Sequence, residues 1–352
     1  MLKEILPYIL DEARLHHLIQ GFSSIILIIV GVLCIVMLSK GADWLITGVV
    51  HLARRTGLPK VVIGATIVSL GTTTPEAFVS VMAAWMGKPG LALGNGVGSI
   101  ITDTGLIFGI TCIFTTVPIN RFILNRTGWV QVGVATLLVI ISLFILLLME
   151  GMPVLSRWVG ALFLVLLCGY MYITYVWARQ GAEEITDGEA SDDSELVSLG
   201  KSSLMVIGGL SFVGVGARIL IPCVAEIARR LNVPDDVIAA TIVAFGTSLP
   251  ELMTAVTAVR KGHPEIMVGN IVGADVLNCL FVIGAAAAAK PLAVPPNFFT
   301  FHYPAMILIL YSFRFFIFMN KDDYFRRWQG AWLFGVYLLY LILQYALNIG
   351  TV

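Results

Sequence analysis

The 352-residue chain is 58% hydrophobic and 12% charged, with a mean hydropathy of +0.91. That composition excludes a soluble globular protein and points to an all-α, polytopic membrane protein. With 22 basic and 22 acidic residues the net charge is zero, so a nucleic-acid partner has no support.

In chain order, Met1–Gln20 comes first. It is interrupted by Lys3, Glu4, Pro7, Asp11, Glu12 and Arg14, so it reads as an interfacial amphipathic segment and lacks the apolar core of a cleavable signal. Spans of about 20 apolar residues follow. Ten are predicted, near 22–49, 60–86, 90–115, 128–149, 157–177, 203–229, 236–260, 265–288, 302–320 and 329–349. The stretch from Arg179 to Lys201 is the one long polar interruption, with Glu183, Glu184, Asp187, Glu189, Asp192, Asp193 and Glu195. It reads as an acidic linker and lacks the ligand spacing of an EF-hand. The expected organisation is a first repeat at 1–178, an acidic cytoplasmic linker at 179–202 and a second repeat at 203–352. Five cysteines lie scattered in apolar runs without metal or redox spacing, and read as small core residues.

Basic residues orient the spans. With the N-terminus outside, the loops after spans one, three, five, seven and nine hold twelve Lys and Arg, and the opposite loops hold five. Ten spans then put the C-terminus outside as well. Arg314, late in the ninth span, is expected to snorkel to the cytoplasmic surface.

The two halves repeat at an offset of 175 residues. Thr66-Ile-Val-Ser-Leu-Gly-Thr-Thr-Thr-Pro-Glu76 matches Thr241-Ile-Val-Ala-Phe-Gly-Thr-Ser-Leu-Pro-Glu251. The same offset pairs Gly41-Ala42 with Gly216-Ala217, Pro59 with Pro234, Gly87 with Gly262, Pro89 with Pro264, and Gly94-Asn95 with Gly269-Asn270. This is an internal duplication. Five spans is an odd number, so the second copy enters the membrane from the opposite side. The expected architecture is therefore two inverted-topology five-helix repeats with a site near the membrane midplane.

Each motif ends in Pro-Glu. A proline lacks an N–H and displaces its neighbours, so carbonyls near Thr72 and Thr247 are expected to turn away from the helix ladder. Helical spacing places Thr72, Thr73 and Glu76 on one face, and Thr247, Ser248 and Glu251 on its counterpart. A carboxylate at mid-membrane costs about 2.5–3.5 kcal/mol, so two at matched positions call for a function. Asp103 and Asn278, again 175 residues apart, are expected to complete a four-cornered cluster. Carbonyls, hydroxyls and carboxylates together suit a hard cation. Three carboxylates around one divalent ion leave a surplus negative charge, and transport is expected to depend on pH. The glycines near Asn95 and Asn270 are expected to let the third and eighth spans approach the second and seventh.

Gly71-Thr-Thr-Thr-Pro-Glu76 and Gly246-Thr-Ser-Leu-Pro-Glu251, each followed by a Gly-Asn-x-x-Gly element, resemble the α-repeats of the cation/calcium exchanger superfamily, closest to prokaryotic sodium/calcium exchangers. The resemblance implies antiport of Ca2+ against Na+ by alternating access, with both ions as substrates. It implies that Glu76, Glu251 and the carbonyls of Thr72 and Thr247 ligate calcium. Sodium would use the same glutamates, the hydroxyls of Thr73, Ser248 and Ser99, and the carbonyls of Ser69 and Ala244, with Asp103 and Asn278 at a central position. Helices one and six would move against a core of helices two, three, seven and eight. Two departures stand out. Ala274 has no hydroxyl where a sodium ligand is expected, and Asp275 adds a carboxylate.

A proton-coupled calcium exchanger, or an exchanger of another divalent cation, is the alternative, since the carboxylates are also able to carry protons. An intramembrane enzyme is disfavoured: the five histidines sit at helix ends or loops, and no H-E-x-x-H is present. Two inverted motifs at one site favour a carrier over a channel. No cofactor and no obligate protein partner are expected beyond the lipid bilayer. A prokaryotic plasma membrane is the expected location.

Overall fold

Ten helices carry nearly all the described residues. They are α1 (Ser24–Thr56), α2 (Lys60–Trp85), α3 (Pro89–Phe114), α4 (Arg121–Leu148), α5 (Arg157–Ile185), α6 (Leu199–Arg230), α7 (Leu249–Arg260), α8 (Pro264–Ala289), α9 (Phe298–Met319) and α10 (Arg327–Ala346). The structure, a computed structural model, describes residues 18–148, 151–185, 198–231, 246, 248–320 and 322–347. The amphipathic segment expected at Met1–Gln20 lies almost wholly outside them, as does the acidic stretch from 186 to 197. Eight helices are long and apolar enough to cross a membrane by length and composition. The described part of α7 and the whole of α10 fall outside that set, so the tenfold count of spans rests on sequence. Helix covers both edges of the expected linker, because α5 runs on to Ile185 and α6 begins at Leu199.

Local chemistry sets the helix ends. The Ser23 hydroxyl caps α1 by accepting from the Ile26 N–H, and Gly57 closes that helix in the left-handed region at φ 69°. Ser198 caps α6 through the Lys201 N–H. The duplication recurs in the backbone. Gly87 and Gly262 adopt φ 78° and 76°, and Pro89 and Pro264 then open α3 and α8 at the first turn, where a missing N–H costs nothing. Both helices also widen at the same place. Thr102–Phe108 in α3 and Asn278–Ile283 in α8 are π-helical.

Two short antiparallel pairs lock the halves together. Val117–Pro118 (β1), after α3, pairs with Tyr324–Phe325 (β4), before α10. Val154–Leu155 (β2), after α4, pairs with Leu292–Ala293 (β3), after α8. Val117 and Leu292 are 175 residues apart, yet their strands lie at opposite ends of α4, as an inverted repeat demands.

The most buried span is α8. It packs on α2 where glycine removes the side chain: a Cβ on Gly269 would strike the Val61 carbonyl, and one on Gly273 the Ala65 carbonyl. Gly269 and Gly273, expected to bring α8 against α7, instead bring it against α2 of the other half. Gly96 of α3 packs against Ile283 of α8, whereas Gly98 has nothing within 4 Å. α1 and α6 cross backbone to backbone. A Cβ on Gly41 would lie 2.9 Å from the Gly209 carbonyl, and Trp44 stacks on Phe212 at 5.2 Å.

Candidate cation site

Ser69, Thr72, Thr73 and Glu76 follow one another at i, i+3, i+4 and i+7 along α2, and all four are buried. Pro75 does not break the helix, which stays α-helical from Ser69 to Trp85. The irregularity lies one turn earlier, in the π-helical Gly64–Val68. There the Ala65 carbonyl accepts from the Tyr170 hydroxyl of α5 at 3.3 Å, and the Thr66 carbonyl from the Ser69 hydroxyl at 3.2 Å. The Ser69 carbonyl is itself engaged by the Thr72 hydroxyl at 3.3 Å. In the second copy Ser248 precedes α7, Pro250 lies in its first turn, and Ser248 and Glu251 are both 1% exposed. Thr247 and Ala244 lie outside the described residues.

The remaining corners come from α3 and α8. Ser99 faces inward one turn before the π-helical segment of α3, and Asp103 lies within that segment. Asn278 opens the matching segment of α8, and all three are buried. A π-bulge adds a residue to one turn and often marks a functional position. The structure brings the corners together. Glu76 interacts electrostatically with Glu251 and Asp103, and Asp103 with Glu251. The Thr72 and Thr73 hydroxyls of α2 lie beside Glu251 of α7, and the Ser248 hydroxyl lies beside Asp103 of α3.

Proximity does not become hydrogen bonding. Both carboxylate oxygens of Glu76, Asp103 and Glu251 lack a well-aligned donor among the described residues. So do the Thr73, Ser99 and Ser248 hydroxyls and the Asn278 Oδ1. Buried polar atoms are ordinarily paired. A cluster made almost wholly of acceptors, at the contact of four helices, has the composition of a cation cage.

Sequence reasoning missed the residues that hold this cluster. Asn95 Nδ2 on α3 donates to the Glu76 carbonyl at 3.1 Å and to the Ser80 hydroxyl at 2.9 Å. Its repeat partner works through one more link: Asn270 Nδ2 donates to the Thr254 hydroxyl at 3.2 Å, which donates to the Glu251 carbonyl at 2.9 Å. Asp275 turns toward α3 and α4, where its Oδ2 accepts from the Thr104 hydroxyl and the Gln131 amide. The Asn pair was visible at its fixed offset and was read as part of a packing element. Gln131 has no sequence signal.

One flank is covered by α6. A Cβ on Gly71 would meet the Leu210 side chain, and one on Gly246 would meet Ile221. Both motif glycines therefore lie under apolar side chains of one helix. Arg314, expected to reach toward the cytoplasmic surface, lies against α4. Its Nη1 donates to Asn125 Oδ1 at 3.1 Å.

Comparison with known proteins agrees with this geometry. Residues 25–176 and 201–346 match the family model described as sodium/calcium exchanger protein. An uncharacterized membrane protein of Methanocaldococcus jannaschii is 30% identical over 312 residues, covering 87% of this chain and 93% of its own. The sodium/calcium exchanger MaX1 of Methanosarcina acetivorans is 27% identical over 338 residues, 88% of this chain and 96% of that one. Among solved structures, the sodium-calcium exchanger NCX_Mj soaked with 10 mM Na+ and zero Ca2+ has a TM-score of 0.76 at 26% identity. That match covers 91% of this chain and 99% of the other.

Proposed function

The chain belongs to the sodium/calcium exchanger protein family, and from that premise we propose that it is an antiporter moving Ca2+ one way and Na+ the other across a prokaryotic membrane. The observation that carries this reading is the set of six buried, donor-free oxygens on Glu76, Asp103 and Glu251. Calcium takes six to eight oxygens, with carboxylates preferred. In this reading Glu76 and Glu251 supply the two charges that balance Ca2+, helped by the Thr72 and Thr247 carbonyls. Sodium uses the same glutamates with the Thr73, Ser99 and Ser248 hydroxyls and the Ser69 and Ala244 carbonyls. In the same reading Asp103 and Asn278 take the central position of the site. Shared ligands make the two occupancies mutually exclusive, which yields exchange and forbids co-transport. Ala274, fully buried, offers no hydroxyl to the second repeat's flanking position.

Access alternates when α1 and α6 move against α2, α3, α7 and α8. The contacts of Leu210 with Gly71 and of Ile221 with Gly246 support this, because they let α6 cover either motif. A cross-link from α1 to α2 is expected to abolish exchange.

Proton coupling is the second reading. A fourth buried carboxylate, Asp275, interacts electrostatically with Asp103 and Glu251 and favours it. Radioactive calcium uptake into proteoliposomes separates the two. A sodium gradient alone is expected to drive uptake. Uptake driven only by a pH gradient would make the coupling ion a proton, and uptake under neither would remove calcium as the substrate.

A further inference from the structure

Asp275 of α8 is a buried carboxylate that the duplication does not explain. The 175-residue offset pairs it with Ile100, and pairs its two partners Thr104 and Gln131 with Cys279 and Met306. Ile100, Cys279 and Met306 are all fully buried. Largely apolar side chains therefore serve at the matching positions of the other repeat, and packing alone needs no carboxylate here. Burying one costs free energy that another interaction has to offset.

The Thr104 hydroxyl of α3 and the Gln131 amide of α4 both donate to Asp275 Oδ2. Two acceptors of the same group are left over. Asp275 Oδ1 and Gln131 Oε1 are buried and have no hydrogen-bond partner. They belong to side chains already in contact, so covalent geometry keeps the two oxygens close to each other. No Lys or Arg pairs with Asp275 among the described residues, and the carboxylates that act on it, Asp103 and Glu251, carry its own sign of charge. A proton on Oδ1 would satisfy that oxygen and leave Gln131 Oε1 bare. A cation held by both oxygens satisfies them together and supplies the missing positive charge.

We propose that Asp275, Gln131 and Thr104 hold an alkali-metal cation in a second site, on the α4 side of the cation cage and separate from it. One carboxylate among neutral oxygens supplies a single negative charge, which matches a monovalent ion, whereas Ca2+ is held by several carboxylates. Asp103 and Thr104 are consecutive in the π-helical turn of α3, so one residue serves the cage and the next serves the second site. None of the three residues is a ligand in the exchange reading above. The site goes beyond that reading, and its detection needs no exchange activity.

The test uses the full chain in uncharged detergent at alkaline pH, where a competing proton is scarce. The chain carries Glu76→Gln and Glu251→Gln together, which removes most of the charge of the cage. Thermal unfolding is followed in NaCl, in KCl and in choline chloride of equal ionic strength. At least one of the two alkali salts is expected to raise Tm by about 2–4 °C over choline. Adding Asp275→Asn or Gln131→Met is expected to remove more than half of that shift. If Asp275→Asn fails to fold, Gln131→Met carries the test alone. No shift with either alkali salt would overturn the proposal and leave Asp275 a hydrogen-bonded carboxylic acid. An undiminished shift with Asp275→Asn would overturn it too, placing the cation at Asp103. A larger shift with CaCl2 at equal ionic strength would do the same, making the site divalent. Each of these failures leaves the exchange reading standing, because sodium-driven calcium uptake by the unaltered chain tests that reading separately.

Discussion

Glu76→Gln and Glu251→Gln keep the side-chain shape and remove one negative charge from the buried cluster. Losing one member of a buried, desolvated charge pair costs about 2–5 kcal/mol, so calcium affinity is expected to fall at least about 30-fold. Sodium-driven calcium uptake measures it, and near-normal uptake in either variant would move the site elsewhere. Asn95→Ala probes the scaffold at the same scale. It strips a donor from the Glu76 carbonyl and from Ser80, and an unpaired buried acceptor costs about 1–3 kcal/mol. A lower melting temperature together with weaker calcium binding is the expected pair of changes. Lower stability with unchanged binding would make Asn95 a packing residue alone. Glu76, Glu251, Asp103 and Asn278 were legible in the sequence because duplication repeats them at one offset, and chance does not. Gln131 and Thr104, which hold Asp275, were not legible. Their partner is three-dimensional, and neither has a counterpart in the other half. The π-helical turns at Asp103 and Asn278 were also invisible, since an i→i+5 bond has no compositional signature.

At the scale of elements, the glycines decide which helices touch. Those near Asn95 and Asn270 were all expected to serve one role, close approach of neighbouring spans. The structure separates them. Gly269 lies where any side chain meets the α2 backbone at Val61, and Gly98 has open space. Gly269→Ala is expected to push α8 off α2 and cost about 1–3 kcal/mol. Gly98→Ala is expected to change stability by less than about 1 kcal/mol, since only helix propensity changes. Chemical denaturation in detergent compares the two directly. Equal effects would mean that α8 has room to shift. Helix positions were largely readable from apolar runs, because a bilayer of fixed thickness sets their length. The ends were less so. α5 continues to Ile185 because Ala182, Glu183 and Glu184 are good helix formers, and charge alone had marked them as linker.

For the whole molecule, the inverted repeat was legible from the 175-residue offset and the odd number of spans in each half. The interlocking strand pairs were not, because two residues carry no period. The α1–α6 pair reads as one body. Its backbones meet at Gly41 and Gly209, and Trp44 stacks on Phe212, so the two helices interlock closely. In the proposed mechanism, the motion that opens the site runs along the surface between this pair and the other helices. A polar tether crosses that surface at Lys261, which follows α7. Its Nζ donates to the Thr47 hydroxyl at 2.7 Å and the Asp43 carbonyl at 3.1 Å of α1, and lies 3.5 Å from Asp43 Oδ1. A displacement of α1 against α7 in the proposed mechanism would break these contacts. Partly exposed ion pairs of this kind contribute about 0.2–1 kcal/mol. Lys261→Gln is therefore expected to shift the balance of access states by up to about fivefold, and to leave the chemistry of the site untouched. In right-side-out and inside-out vesicles, the half-saturating calcium concentration is expected to rise on one face and fall on the other. A change of the same sign on both faces would place Lys261 in ion binding instead of in the equilibrium between states.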